Sequence, residues 1–340
     1  MGFDAGFSRK LGEKGLIGVA TPTRYGGRGL GAFARYVVNE ELLAAGAPVS
    51  AHWIADRQSA PLILRYGTDA QRERHLPAIS RGESYFCIGM SEPDSGSDLA
   101  SIGTHASRTG GGWVLDGRKI WTTNAHRSHF MIALARTGER SGDRHGGMSQ
   151  FIIDLSLPGV TIRPIRDLTG AEHFNEVFFD SVELGPDALI GEEGRGWDQV
   201  MAELAFERSG PERFLSAMAL MHTLIDRIGQ QPDAMQAHHI GRMTARLFAL
   251  RSMSLAITEE LGAGRDPSWA ATCMKDIGTT LEQELPELAM LLIDDEPRVA
   301  SGSDHQQVLS WLMQLAPSFS LRGGTREILR GILARGLGLR

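Results

Sequence analysis

FCIGMSEPDSGSDLAS, residues 86–101, is where the chain changes its period. Before it, apolar residues recur at helical spacing; after it, short apolar runs alternate with turn residues. The segment itself reads as a strand that leaves through Glu92-Pro93 into the small residues Ser95, Gly96 and Ser97. A turn of this kind exposes consecutive backbone N–H groups and hydroxyls, which suits a phosphate or a thioester-linked anion and equally suits an ordinary strand exit.

Toward the amino terminus the pattern is helical. FARYVVNEELLAAG (33–46) sets Phe33, Val37, Val38 and Leu42 at helical spacing, and GTDAQRERHLP (67–77) puts Thr68 and Gln71 in capping-box register. GGRGLGA (26–32) matches G-x-G-x-x-A loosely, but no buried strand precedes it and no acid follows at the right distance, so it reads as a loop. Toward the carboxyl terminus, GWVLDGRKIWTT (112–123) reads as a hairpin about Asp116-Gly117. HFMIALART (129–137), MSQFIIDL (148–155), VTIRPI (160–165) and EVFFDSVEL (176–184) follow as strands. After IGEEGRGW (190–197) the helical period returns and runs to the end, through QVMAELAFERS (199–209) and on to an Arg-rich last helix. The expectation is an α+β multidomain chain: an N-terminal α-helical domain (1–84), a middle β domain (85–190) and a C-terminal helical bundle (191–340).

Composition narrows the function. With 340 residues, 42% of them hydrophobic and 22% charged, the chain can bury a large core. A formal net charge of -6 argues against a nucleic-acid partner, whose binding draws on clustered Lys and Arg. Cys87 and Cys273 are far apart and outside metal-ligand spacing, so neither a disulfide framework nor a metal site is expected. No apolar run is long enough to span a membrane, MGFDAGFSRK lacks a signal-peptide core, and a cytoplasmic location is expected. In KIWTTN (119–124), Trp121 is either a core aromatic or an indole offered to a flat cofactor with a hydroxyl at its edge.

MSEPDSGSD, DGRKIWTTNA, GVTIRPI, NEVFFDSVEL, IGEEGRGW, the FER of the following helix and the terminal GGTREILRGILARGLGLR occur in the order found in the acyl-CoA dehydrogenase family, which the chain resembles over nearly its whole length. The resemblance implies a C-terminal four-helix bundle, FAD lying between the middle domain and that bundle, and dehydrogenation of an acyl-CoA to the 2-enoyl-CoA. It implies that the segment Ile88 to Ser97 follows the flavin and its phosphates, with Ile88, Met90 and Ser91 as flavin contacts and Ser97 within reach of cofactor and substrate. Trp121 and Thr123 match the pair beside the isoalloxazine, and Thr325 and Glu327 match flavin contacts at the start of the last long helix. Phe206, Arg208 and Gly323 fall at substrate-side positions.

The chain also departs from the family. Abstraction of the proton alpha to the thioester carbonyl needs a base, worth about 10² to 10⁴-fold. The family commonly keeps a glutamate directly before the GT of the last segment, where this chain has Gly323. Some members instead place the acid on the earlier helix before an arginine, and here that acid is Glu207, in AFERSGPER. Pro211 disfavours helical geometry at Gly210 and is expected to end the helix near Arg208, where a carboxylate can point into a cleft. Gly323 keeps its backbone N–H for the thioester oxygen.

Two phosphate-holding motifs of the family, Arg-x-x-Phe-Gly and Gln-x-x-Gly-Gly-x-Gly, are replaced by QQPDAMQAHHIG (230–241) and DDEPRVASGSDHQQ (294–307). The amino terminus is short by about one or two helices relative to the family. Expected partners are the acyl-CoA, an electron-transfer flavoprotein and a related dehydrogenase subunit in an α2β2 heterotetramer. A non-catalytic subunit completing a partner's flavin site, and a flavin oxidase or monooxygenase on the same fold, are the competing readings.

Overall fold

A computed structural model describes residues 2–138, 144–299 and 301–339, apart from the side chains of Ala205 and Phe206. The chain divides into two compact units.

The first unit holds Gly2–Leu30 and Pro48–Glu203. Its helices are α1 (Ala5–Glu13), α3 (Ser50–Ile54), which runs through a π turn at Ala55–Ser59 into α4 (Ala60–Tyr66), and α5 (Asp69–Ser80). Thr68 caps α5 with Gln71 in a reciprocal capping box, as the sequence predicts. Eight strands follow: β1 (Phe86–Gly89), β2 (His105–Thr109), β3 (Gly112–Thr123), β4 (Phe130–Arg136), β5 (Met148–Asp154), β6 (Val160–Ile165), β7 (Phe174–Leu184) and β8 (Leu189–Ile190). They form one sheet in the order β6-β7-β3-β2-β4-β5-β8, with β1 pairing parallel to β4. Met131 to Ala135 of β4 are buried without interruption, because apolar clusters cover both faces of that central strand.

The expected hairpin at Asp116-Gly117 does not form. Residues 112–123 are a single strand, and the reversal lies earlier, between β2 and β3. The Asp-Gly pair marks a bulge instead: register against β7 slips between Leu115 and Gly117, and the Asp116 carboxylate accepts the Ser181 N–H at 2.8 Å. The segment 26–32 is irregular until its last residue, in keeping with a loop rather than a dinucleotide fingerprint.

The second unit holds Gly31–Ala47 and Leu204–Arg340. Its helices are α2 (Ala32–Ala44), the end of α6 (Gly196–Ser209), α7 (Met218–Ile228), α8 (Ala234–Gly262), α9 (Ser268–Leu292), α10 (Asp304–Leu315) and α11 (Arg326–Gly336). α2 thus groups with the C-terminal helices rather than with its sequence neighbours. Its buried side is also not the expected one. Phe33 and Val37 are 49% and 51% exposed, whereas Tyr36 and Leu43 are buried. Polar pairing sets this orientation: the Tyr36 hydroxyl donates to Glu40, which pairs with Arg251 of α8 at 2.7 Å.

Candidate active site

Within the sheet unit, the segment after β1 is tied to β3 by a buried ion pair. Lys119 is fully buried, and its Nζ donates to Glu92 Oε1 at 2.8 Å and to the Met90 carbonyl at 3.1 Å. Glu92 also accepts the N–H groups of Gly103 (2.6 Å) and Thr104 (2.9 Å). Burial pushes the Lys119 ammonium down to about 8, against the pull of Glu92. Burial would push the Glu92 carboxyl up, but Lys119 and the N–H donors outweigh it and hold it below the usual carboxylate range. The Ile120 N–H donates to the Ser91 carbonyl at 2.9 Å, a second tie between the same two segments.

These ties carry four of the expected positions. Ile88 packs partly into the core, Met90 and Ser91 are half-buried, and Ser97 is exposed. The turn is less open than its sequence suggests, because Ser95 directs its N–H to the Glu92 carbonyl and its hydroxyl to the Asp98 carbonyl at 2.6 Å. Lys119 and Glu92 were not singled out as a pair from the sequence. The signal was present: a lysine inside an otherwise apolar strand needs a buried anion.

Trp121 resolves its ambiguity. Its side is open, 57% exposed, with only an edge-on contact to Phe174 at 5.9 Å. The backbone there is unusual, with φ +59 on a bulky residue and a register slip between Lys119 and Thr122. The bulge turns the indole outward while Thr122 stays buried, and Thr123 is half-buried beside it. An indole held in a strained conformation and left this exposed is not a core aromatic.

Within the helical unit, α6 ends at Ser209 and Gly210 is extended, with φ −79 and ψ 163, as expected before Pro211. A single 3₁₀ turn, Pro211–Arg213, then folds the chain back. Arg213 reaches Glu207 twice: Nη2 donates to Oε1 at 2.8 Å and Nε to the main-chain carbonyl at 2.8 Å. The arginine side chain is 4% exposed and that of Glu207 is 19% exposed.

Gly323 adjoins this carboxylate. A Cβ on Gly323 would lie 3.0 Å from Glu207 Oε1, 3.2 Å from Lys275 Cε and 3.3 Å from Arg213 Nη2. Gly323 and Gly324 have φ +67 and +99, a left-handed turn suited to glycine. Two buried cations grip its carbonyls. Arg208 Nε donates to Gly323 O at 3.0 Å and Lys275 Nζ to Gly324 O at 2.8 Å. Arg208, expected on the substrate side, is therefore engaged by this turn and by Thr272, and the cation on Glu207 is Arg213. Burial lowers the Arg208 pKa and pushes the Lys275 ammonium down to about 7, with Arg213 adding to the latter.

Thr325 is the N-cap of α11 and Glu327 lies exposed in its first turn. The Phe206 side chain falls outside the described residues. Parts of the two segments that replace phosphate motifs serve as helix caps: Asp233 caps α8 with Gln236, and Ser303 caps α10 with Gln306. Arg213 and Lys275 escaped the sequence reading: Arg213 closes AFERSGPER without a role assigned to it, and Lys275 lies in none of the quoted segments. Among the described residues, no group of His, Cys, Asp and Glu could hold a metal ion, and no helix is long and apolar enough to cross a membrane.

Three family models cover the chain: the acyl-CoA dehydrogenase N-terminal domain over residues 1–83, the middle domain over 87–182 and the C-terminal domain over 194–338. The chain is 34% identical to acyl-CoA dehydrogenase IpdE1 of Mycobacterium tuberculosis, covering 98% of this chain and 87% of that protein. Among solved structures, a Tcur3481-Tcur3483 steroid ACAD matches with TM-score 0.87 and 25% identity over 99% of this chain and 88% of its own. The ChsE4-ChsE5 complex from Mycobacterium tuberculosis matches with TM-score 0.84 and 26% identity over 98% and 89%.

Proposed function

Because this chain belongs to the acyl-CoA dehydrogenase family, we propose that it dehydrogenates an acyl-CoA thioester to the trans-2-enoyl-CoA with Glu207 as the base. The observation that carries this is the 3.0 Å separation between Glu207 Oε1 and the place a Cβ on Gly323 would take. The acid missing from the last segment is supplied to the same spot by α6. FAD, the family's cofactor, would supply the acceptor for the hydride leaving the beta carbon. The residues of each unit fit it: in the sheet unit Trp121 offers an exposed indole, and in the helical unit Gly323-Gly324 form a turn with positive φ ahead of the α11 N-terminus. On this reading Ile88, Met90, Ser91, Ser97, Trp121 and Thr123 are the cofactor contacts of the sheet unit, and Thr325 and Glu327 are those of the helical unit.

Glu207 accepts the proton alpha to the thioester carbonyl. The Gly323 N–H donates to the thioester oxygen as negative charge gathers there. Arg208 and Lys275, by gripping the two glycine carbonyls, keep that peptide segment from rotating. Replacement Glu207→Gln keeps shape and removes proton affinity, so flavin reduction by acyl-CoA under anaerobic conditions should fall at least ~10²-fold with flavin content unchanged. Near-normal reduction in that variant would sink the assignment.

We further infer an electron-transfer flavoprotein as acceptor and a heteromeric assembly with a related dehydrogenase subunit. The heteromer is supported by the absence of Arg-x-x-Phe-Gly at residues 230–241 and by two structural neighbours whose names join two proteins. Each missing charge-assisted hydrogen bond to the FAD pyrophosphate forgoes roughly 1.5–3 kcal/mol, which a partner chain would restore. Co-purification with the partner should give about half a flavin per subunit. A homo-oligomer with one tightly bound FAD per chain overturns the heteromer. A panel of acyl-CoA thioesters, steroid acyl-CoAs included because one neighbour is a steroid ACAD, would fix the substrate class.

A further inference from the structure

The break after α6 does more than end a helix. Gly210 and Pro211 reverse the chain so that Arg213, six residues after Glu207, folds back onto it. The turn is seated on α9 at Gly278, where the Arg213 carbonyl leaves no room for a Cβ. The guanidinium is thereby held from its backbone as well as from its tip. On the reading of Glu207 as the base, on which this step rests, we propose that Arg213 is the positioning residue of that base, fixing its carboxylate and keeping it charged before substrate arrives.

Three features of the geometry carry the assignment. The two bonds from Arg213 go to different parts of Glu207, one to Oε1 and one to the main-chain carbonyl, both at 2.8 Å. Such a grip fixes the side chain relative to its own backbone, which a single ion pair does not. The arginine is almost wholly buried and reaches within 3.3 Å of the position a Cβ on Gly323 would take, so it borders both the base and the wall opposite. A desolvated guanidinium at that distance favours the charged form of the carboxylate.

Other charges face the same place. Glu212 lies 3.8 Å from Arg213 Nε. From α9 come Lys275, which holds the Gly324 carbonyl, and the buried Glu282, which accepts the Ser216 N–H at 2.7 Å and meets Arg322 at 3.4 Å. Arg208 of α6 holds the Gly323 carbonyl. Arg213 is hydrogen-bonded to the Glu207 carboxylate itself. Removing it should release the Glu207 side chain from its fixed position and raise the pH at which the carboxylate forms.

The test compares Arg213→Gln, Arg213→Lys and Glu207→Gln as holoenzymes, following anaerobic flavin reduction by a saturating acyl-CoA from acid to neutral pH. Arg213→Gln should lower the limiting rate about tenfold or more and move the acid limb of the profile to higher pH, with acyl-CoA affinity within about threefold of wild type. Arg213→Lys should keep the acid limb near its wild-type position at a reduced rate, because an ammonium supplies the charge without both hydrogen bonds. The protonated-carboxyl infrared band that disappears in Glu207→Gln gives the same titration without turnover. A lowered rate with an unmoved acid limb in Arg213→Gln overturns the proposal, leaving a merely structural arginine. If that variant does not fold, Arg213→Lys decides: a wild-type rate overturns the proposal, and a reduced rate at an unmoved limb supports it. Should Glu207→Gln stay active, the base assignment fails first; should it be inactive while Arg213→Gln behaves as wild type, only Arg213 falls.

Discussion

Two buried carboxylate–cation pairs anchor the two units, and they are built differently. Glu92 in the sheet unit accepts from Lys119 and from two backbone N–H groups, and its lysine partner is fully buried. Glu207 in the helical unit meets Arg213 through one carboxylate oxygen, Oε1, and keeps about a fifth of its side chain open. A carboxylate enclosed by donors cannot readily take up a proton, so Glu92 is a brace. Glu207, with part of its side chain open, is the one proposed here for acid–base work.

The sharpest way to break this contrast is to remove one charge from each pair. Glu207→Gln should remove at least ~10² of the rate of flavin reduction and leave the thermal midpoint almost unchanged. Lys119→Met should do the reverse kind of damage. Leaving Glu92 buried without its cation costs about 3–5 kcal/mol of folding stability, read from urea unfolding. If Lys119→Met unfolds like wild type, the pair is no brace. A smaller effect is expected at Gly323→Ala. Its φ of +67 and a Cβ at 3.0 Å from Glu207 Oε1 should cost about 1–2 kcal/mol and slow turnover by displacing the base. The same strain argues that Gly323→Glu will not rescue Glu207→Gln.

The contrast also shows what the sequence carries and what it does not. Glu207 could be singled out because an acid before an arginine and a glycine before GT are both local facts, and Pro211 announced the helix end. The capping box at Thr68 and the strands from residue 129 onward were legible for the same reason. Arg213 and Lys275 were not, since their roles depend on which carbonyl or carboxylate a fold brings opposite them. Asp116-Gly117 misled because the dipeptide of a tight turn also serves a bulge, and only pairing across to β7 decides between them. The exposed side of α2 misled because Tyr36 is amphipathic, and its hydroxyl's bond to Glu40 outweighed a count of apolar residues.

The smallest predicted effect concerns a buried lysine without the kind of partner Lys119 has. Lys275 donates to a carbonyl, Gly324 O, and lies among arginines, so burial, with Arg213 adding to it, pushes its ammonium down to about 7. In the unfolded chain a lysine titrates near its ordinary value, about 10.4. Between these two pH values the unfolded chain binds more protons than the folded one, so this residue makes stability rise with pH across that window. Below about pH 7 both states hold the proton and the cost is constant. Lys119 tilts the curve in the same direction, but from about 8 and equally in any Lys275 variant. Tyr36, pushed up to about 12 by burial, tilts it the other way only above about pH 10. The difference between wild type and Lys275→Met, taken from urea unfolding between pH 7 and 9.5, therefore isolates Lys275. It should close by roughly 1 kcal/mol per pH unit at most, since one pKa unit is worth about 1.4 kcal/mol and partial exposure to solvent on local opening reduces it. Parallel curves for the two proteins would mean that Lys275 keeps an ordinary pKa, and that a buried cation in this cluster is better compensated than the one beside Glu92.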